Sequence, residues 1–181
     1  MQFIHKTTET LSKEGCNKII EWFENNISLA TRGLQGGQPI LDNLEIGLSL
    51  DINLPQWYGL EDILLKTIEE YKTKFPLIRF PSIANWSINN VCQLMRYLPN
   101  DYYSRVHCEN DGNAIKRCFA WMIYLNDIKE GGGTRFIHQN TTLQPIAGDM
   151  YIWPAGWTHM HHGVNAPKET KYIITGWVSY V

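Results

Sequence analysis

Arg117-Cys-Phe-Ala-Trp-Met-Ile-Tyr124 decides the fold. The run is short, apolar and rich in aromatics, and turn signals bound it on both sides. These are Asp111-Gly-Asn113 before it and Glu130-Gly-Gly-Gly133 after it, so it reads as a buried strand. From about residue 83 the same texture repeats, with further turn signals at Pro99-Asn-Asp101 and Ala147-Gly-Asp149. The expected strands are Ser87–Tyr97, Tyr103–Glu109, Arg117–Tyr124, Gly132–His138, Asp149–Trp153 and Lys171–Val181. Upstream the period changes. Residues 1–11 read as an opening strand and turn. Ser12 can cap a helix whose Cys16, Ile19, Ile20 and Phe23 share one face, ending near Asn25-Asn26. A second helix is expected from about Pro55 to Tyr71, with Leu60, Ile63, Leu64, Ile68 and Tyr71 as its apolar stripe and Pro76 as its stop. Between the helices, residues 31–39 are glycine-rich and polar. They read as a surface loop or as a segment that closes over a substrate. Two helices followed by many short strands predict a mainly β fold: an antiparallel double-sheet jelly roll with supporting N-terminal helices.

The chain has 181 residues, 44% hydrophobic and 12% aromatic, enough for one globular domain. Its net charge of −2 exerts no general pull on nucleic acid. Cys16, Cys92, Cys108 and Cys118 are widely spaced with no CxxC pair, and read as reduced, mostly buried thiols. Met1-Gln-Phe-Ile-His-Lys6 lacks the apolar core of a signal peptide and no run approaches membrane-spanning length, so a cytoplasmic setting and no membrane partner are expected. Asn85-Trp-Ser87 and Asn140-Thr-Thr142 fit the glycosylation pattern and are read as chance.

The chemistry centres on His107-Cys108-Glu109. Residues i and i+2 of a strand share a face, so His107 and Glu109 present an imidazole and a carboxylate side by side. A second imidazole can come from Trp157-Thr-His-Met-His-His-Gly163. Two histidines and a carboxylate on one face of a metal leave the opposite positions open, as in non-heme Fe(II) oxygenases. His159 and His161 could share a face; His162 would point away. Asp111 is the runner-up carboxylate, while His5 and His138 read as ordinary polar residues.

His107/Glu109, Tyr124-Leu-Asn-Asp127, Glu130-Gly-Gly-Gly-Thr-Arg-Phe136, Gly148-Asp-Met-Tyr-Ile-Trp-Pro154, the distal histidine and Lys171-Tyr-Ile-Ile-Thr-Gly-Trp177 together resemble the 2-oxoglutarate- and Fe(II)-dependent dioxygenases, prolyl 4-hydroxylase-like branch. The resemblance implies a double-stranded β-helix (jelly roll, cupin-like). It implies one oxygenase domain over 1–181, with 1–80 as helical support and loop and 81–181 as the jelly-roll core. It places the metal ligands at His107, Glu109 and His161, the histidine ten residues before Lys171. Lys171 would meet the distal carboxylate of 2-oxoglutarate, with Tyr97 and Thr134 as further walls of that pocket. Fe(II), 2-oxoglutarate and O2 are the implied cofactor and co-substrates, with ascorbate a further candidate. Two departures stand out: Glu109 where aspartate is usual, and Gly133 where glutamate is often found. Related halogenases lack the carboxylate, so its presence argues for hydroxylation.

The implied substrate is a prolyl or other residue of a peptide or protein; a free amino acid or other small molecule is the alternative. Trp121, Trp153, Trp157 and Tyr103 could line a groove, with Arg105 and Arg117 at its mouth, though packing accounts for at least half of these aromatics. No nucleic-acid partner is expected, since a lysine stands where the demethylase branch uses arginine. The sequence leaves the oligomeric state open. From another class, a cupin-like module could hold metal without oxygenase activity; Lys171 with Tyr97 argues against it, because a bare metal module has no use for a carboxylate pocket.

Overall fold

The computed structural model describes residues 2–35, 38–49, 59–80, 83 and 85–181, with the side chains of 33–49 and 113 excepted. The described strands, in chain order, are β1 His5–Thr7, β2 Thr31–Gln35, β3 Gln38–Ser49, β4 Trp86–Tyr97, β5 Arg117–Tyr124, β6 Thr134–Phe136, β7 Thr141–Leu143, β8 Met150–Pro154, β9 His161–Gly163 and β10 Lys171–Tyr180. The helices are α1 Lys13–Asn25 and α2 Leu60–Lys74. Seven strands form a large antiparallel sheet in the order β1-β8-β5-β10-β4-β3-β2, and three form a small one, β7-β6-β9. This is the double-sheet jelly roll.

The period-2 alternation of the central strands divides the large sheet into two faces. Trp121 and Ile123 of β5, Ile174 and Val178 of β10, and Cys92 and Leu94 of β4 point towards the helices. They pack on Cys16, Ile19 and Phe23 of α1 and on Leu64, Ile68 and Tyr71 of α2. Each fully buried large side chain here contributes on the order of 1.5–3 kcal/mol. Ala120, Met122 and Tyr124, Ile173, Met95 and Tyr97 point the other way, into a second cluster with Phe136, Leu143, Tyr151 and Trp153. That inner face carries the candidate site.

The helix at Ser12 forms as the sequence indicates: Ser12 Oγ accepts from Gly15 N at 3.0 Å, and Cys16, Ile19 and Phe23 are buried. The described part of the second helix starts at Leu60, after Gly59, which sits in the left-handed region at φ +91° and interrupts any helix running through it. Residues 50–58, Pro55 among them, lie outside the described residues. In α2, Glu61 and Asp62 at the start and Lys72 and Lys74 at the end complement the helix dipole.

Two other expectations change. Residues 31–39 hold strand structure on either side of Gly36 and Gly37, which are not described; β2 and β3 pair as a hairpin, with a register shift between Arg32 and Leu34. The ladder from β3 to β4, Leu44 to Ser49 against Arg96 to Val91, outweighs the poor strand propensity of the glycines. Residues 31–49 therefore add to the large sheet, so 1–80 is more than helical support. Conversely, Tyr103–Glu109 is not a strand. Its partner β9 is three residues long and pairs with it as a single bridge, His107 to His161. Beyond that bridge, Glu109 N and Asn110 N both turn to Ala155 O, at 2.9 and 3.2 Å.

Gly176 of β10 lies close against Trp121 of the neighbouring β5. A Cβ there would overlap the Trp121 indole, which is fully buried. Gly176→Ala is expected to destabilise the fold by about 1–3 kcal/mol, the usual cost of overpacking. Urea denaturation checks this; a midpoint equal to wild type would mean that Trp121 has room to move.

Candidate metal and co-substrate site

His107 leaves the single bridge to β9, Glu109 follows on the turn to the end of β8, and His161 opens β9. Their ligand atoms all lie within 4.8 Å of one another. Glu109 Oε1 is 3.5 Å from His107 Nε2 and 3.1 Å from His161 Nε2. Two ligands about 2.1 Å from a shared ion and at right angles are roughly 3 Å apart, so this spacing suits adjacent corners of one coordination sphere.

The far side of each ring supports the same reading. His107 Nδ1 lies 3.0 Å from Arg105 O, and His161 Nδ1 lies 2.8 Å from His159 O. A carbonyl only accepts, so both Nδ1 atoms carry hydrogen. Each Nε2 is thereby turned towards Glu109 Oε1, into the space that a metal shared by the three groups would fill. Burial acts to raise the Glu109 carboxyl pKa, but the two imidazoles beside it outweigh burial and hold it well below the usual carboxylate range. The donor set, two imidazoles and one carboxylate, fits iron.

The rival donors are placed elsewhere. The buried His159 turns Nε2 to Gln2 O at 2.8 Å and keeps only its main-chain oxygen for His161. His162 Nδ1 lies against Gly163 O, and Asp111 is exposed. His5 sits beside Glu70, and His138 stands edge-on to Trp157.

Lys171 opens β10 directly opposite Tyr97 of β4, and it is 4% exposed, which excludes a surface lysine. Its Nζ stands 4.6 Å from the Tyr97 ring centroid. No carboxylate among the described residues acts on its charge, and burial alone lowers its pKa to about 8. Such a cation is costly and suits an anion supplied from outside. Thr134 Oγ1 and Tyr124 OH are 2.9 Å apart and buried on the same inner side. Gly131 and Gly132, at φ +72° and +68°, make the tight entry to β6. At Gly133 a Cβ would run into the Leu143 carbonyl, so this chain has no room for the glutamate common at that position.

Of the four aromatics proposed for a groove, Trp121 is a correction: it points to the helix side and is fully buried. Trp153 is also buried, 5.4 Å from the His161 ring, and Tyr103 lies 4.4 Å from the His107 ring. Trp157 is exposed. Sequence reasoning assigned no role to Trp177, whose Nε1 donates to Glu109 Oε2 at 2.7 Å, or to Tyr124 beside Thr134. Alternation along β10 from Lys171 was the signal that places Trp177 on the inner face. Arg117 was expected at a mouth; it stacks on Trp177 instead, with Cζ 3.6 Å from the ring centroid.

Residues 92–179 match the family model described as the 2OG-Fe(II) oxygenase superfamily. Over these residues, just under half of its length, the chain resembles that superfamily. Mouse procollagen-lysine,2-oxoglutarate 5-dioxygenase 2 is 26% identical over 172 residues, covering 92% of this chain and 22% of that protein. The chain thus spans less than a quarter of the length of the curated relatives it matches. Among solved structures, the viral collagen prolyl hydroxylase of Paramecium bursaria Chlorella virus-1 superposes with a TM-score of 0.71 at 18% identity, covering 99% of this chain and 97% of that one. The prolyl hydroxylase of Trichoplax adhaerens, solved with a hypoxia inducible factor peptide fragment, gives 0.74 at 15% identity over 99% and 84%. At these identities the two structures establish the fold alone. Iron and 2-oxoglutarate, for which the family is named, suit the His/Glu/His set and the buried Lys171. No helix among the described residues is long and apolar enough to cross a membrane.

Proposed function

We propose that this oxygenase domain is an Fe(II)- and 2-oxoglutarate-dependent hydroxylase of a peptidyl residue, with proline the first candidate. The observation that carries the reading is the pairing of a His107/Glu109/His161 cluster with a buried lysine that no carboxylate among the described residues neutralises. A metal-holding module accounts for the first feature but not the second. The prolyl hydroxylases among the structural neighbours support a peptidyl substrate. The procollagen-lysine relatives favour a second reading, peptidyl lysine, at the same site.

His107, Glu109 and His161 would hold the metal on one face. Lys171 would take the distal carboxylate of 2-oxoglutarate, with Tyr97, Thr134 and Tyr124 lining its pocket. When bound, iron with 2-oxoglutarate and O2 supplies oxidative C–H hydroxylation, with succinate and CO2 as the other products. The chain's own part is positional. The Arg105 and His159 carbonyls orient the two imidazoles, and Phe136 and Trp153 wall the His161 ring at 5.0 and 5.4 Å and exclude water from it.

The test is anaerobic titration of the metal-free protein with Fe(II) and then 2-oxoglutarate. A weak visible charge-transfer band is expected on adding the second component, reporting chelation at an open face. Prolyl and lysyl peptides are then compared by succinate release. Metal binding without the band would sink the hydroxylase reading and leave the cupin-like module as the better account.

A further inference from the structure

Glu109 uses its two oxygens for different neighbours. Oε1 faces both imidazoles, at 3.5 and 3.1 Å, while Oε2 accepts the Trp177 indole N–H at 2.7 Å. The indole is itself held. Trp177 lies on β10, whose neighbours β4 and β5 fix the strand, and the Arg117 guanidinium lies over its ring with Cζ 3.6 Å from the centroid. Arg117 Nη1 in turn donates to the Glu109 main-chain oxygen at 3.3 Å, with its ion-pair contact to Oε2 longer, at 3.9 Å. Backbone, carboxylate and indole are thus locked in one closed loop of contacts.

We propose that Trp177 is a positioning residue that fixes Glu109 as a one-oxygen ligand, and that the side-chain length at 109 is matched to this anchor. The proposal rests on the metal site assigned above. A free glutamate rotates about three bonds, and either oxygen, or both, can approach a metal. The indole N–H removes that choice by engaging Oε2, leaving Oε1 as the metal-facing atom. This keeps one coordination position from being taken by the second carboxylate oxygen. Aspartate is one methylene shorter. With its backbone held by Ala155 and Arg117, an aspartate at 109 could serve the metal or the indole, not both. The usual aspartate is therefore the poorer residue in this chain.

The test is a double-mutant cycle read by anaerobic calorimetric titration with Mn(II), without turnover. Trp177→Phe keeps the ring and loses the N–H; it is expected to weaken Mn(II) binding by about tenfold or more, the usual effect of removing a hydrogen bond that orients a ligand. Glu109→Asp is expected to weaken binding to a similar degree in the wild-type background. In the Trp177→Phe background it should add less than about twofold, because the anchor it fails to reach is already gone. Melting of the metal-free proteins separates a packing defect from lost positioning, since a purely structural role would lower the melting temperature and leave Mn(II) affinity alone. Should Trp177→Phe fail to fold, Glu109→Asp still decides, because it leaves the indole in place. Wild-type affinity in either single variant, or effects that simply multiply, overturns the proposal. A wild-type protein that binds Mn(II) but forms no band with Fe(II) and 2-oxoglutarate would sink the hydroxylase reading alone; one that binds neither ion overturns both.

Discussion

Lys171→Ala is expected to lower 2-oxoglutarate affinity about a hundred- to several thousandfold while Fe(II) binding stays within about twofold of wild type. The magnitude follows from leaving a carboxylate buried without its cation, which costs about 3–5 kcal/mol, with each 1.4 kcal/mol worth roughly tenfold. The metal is spared because Lys171 contacts none of its three donors. The same lysine predicts a pH dependence. Burial lowers its pKa to about 8 from an ordinary 10.5, so the folded chain releases this proton before the unfolded chain does. Between those values the unfolded state binds more protons, and stability rises with pH. The cost of burying the charge is full below pH 8 and gone above 10.5. Bound 2-oxoglutarate favours the charged form, so its affinity should fall as pH rises above 8. Calorimetric titration at pH 7 and pH 9, with urea melts across the same range, checks both trends. A flat urea-midpoint profile shared with Lys171→Met would mean that the amine is hydrated and the pocket assignment mistaken.

His161→Ala is expected to cut Fe(II) affinity by more than a hundredfold, since losing even a residue that orients a ligand typically costs 10–100-fold. His162→Ala should change it by less than about threefold, its ring being turned to Gly163 O. His159→Ala falls between: the main-chain oxygen that orients His161 survives, but the ring that locks this turn to Gln2 O is lost. Dialysis against Fe(II) followed by metal analysis ranks the three. Equal losses at 159 and 161 would break the assignment.

The central strands were legible because both their faces are buried in different company. Arg117-Cys-Phe-Ala-Trp-Met-Ile-Tyr124 forms over the residues its composition indicates, as does the helix after Ser12. The HxE run and the distal histidine were legible as a metal-binding pattern because the i, i+2 rule is local. The i, i+2 pairing survives at His107 and Glu109 although the expected strand does not, since one bridge and one turn suffice to aim two side chains at the same point. Other features had no local signal. Thr31–Gln35 and Gln38–Ser49 are strands because β4 offers them an edge, not because their residues prefer it. His159, His161 and His162 differ only in what lies behind each ring, namely Gln2, the His159 carbonyl and the Gly163 carbonyl, and two of these contacts lie within two residues while one spans the chain.

By itself the sequence determined the β-rich architecture, the pair of helices and a set of residues whose donor types suit a metal and an acid, because periodicity, turn chemistry and donor type are properties of short segments. Only the tertiary structure decided that Trp121 faces the helices and that Lys171 lies buried with no carboxylate among the described residues to pair with. It also decided that the Trp177 indole takes one oxygen of Glu109 and leaves the other to the imidazoles. Those facts depend on which strands become neighbours, and strand pairing is set by burial summed over the whole sheet, which no short segment encodes.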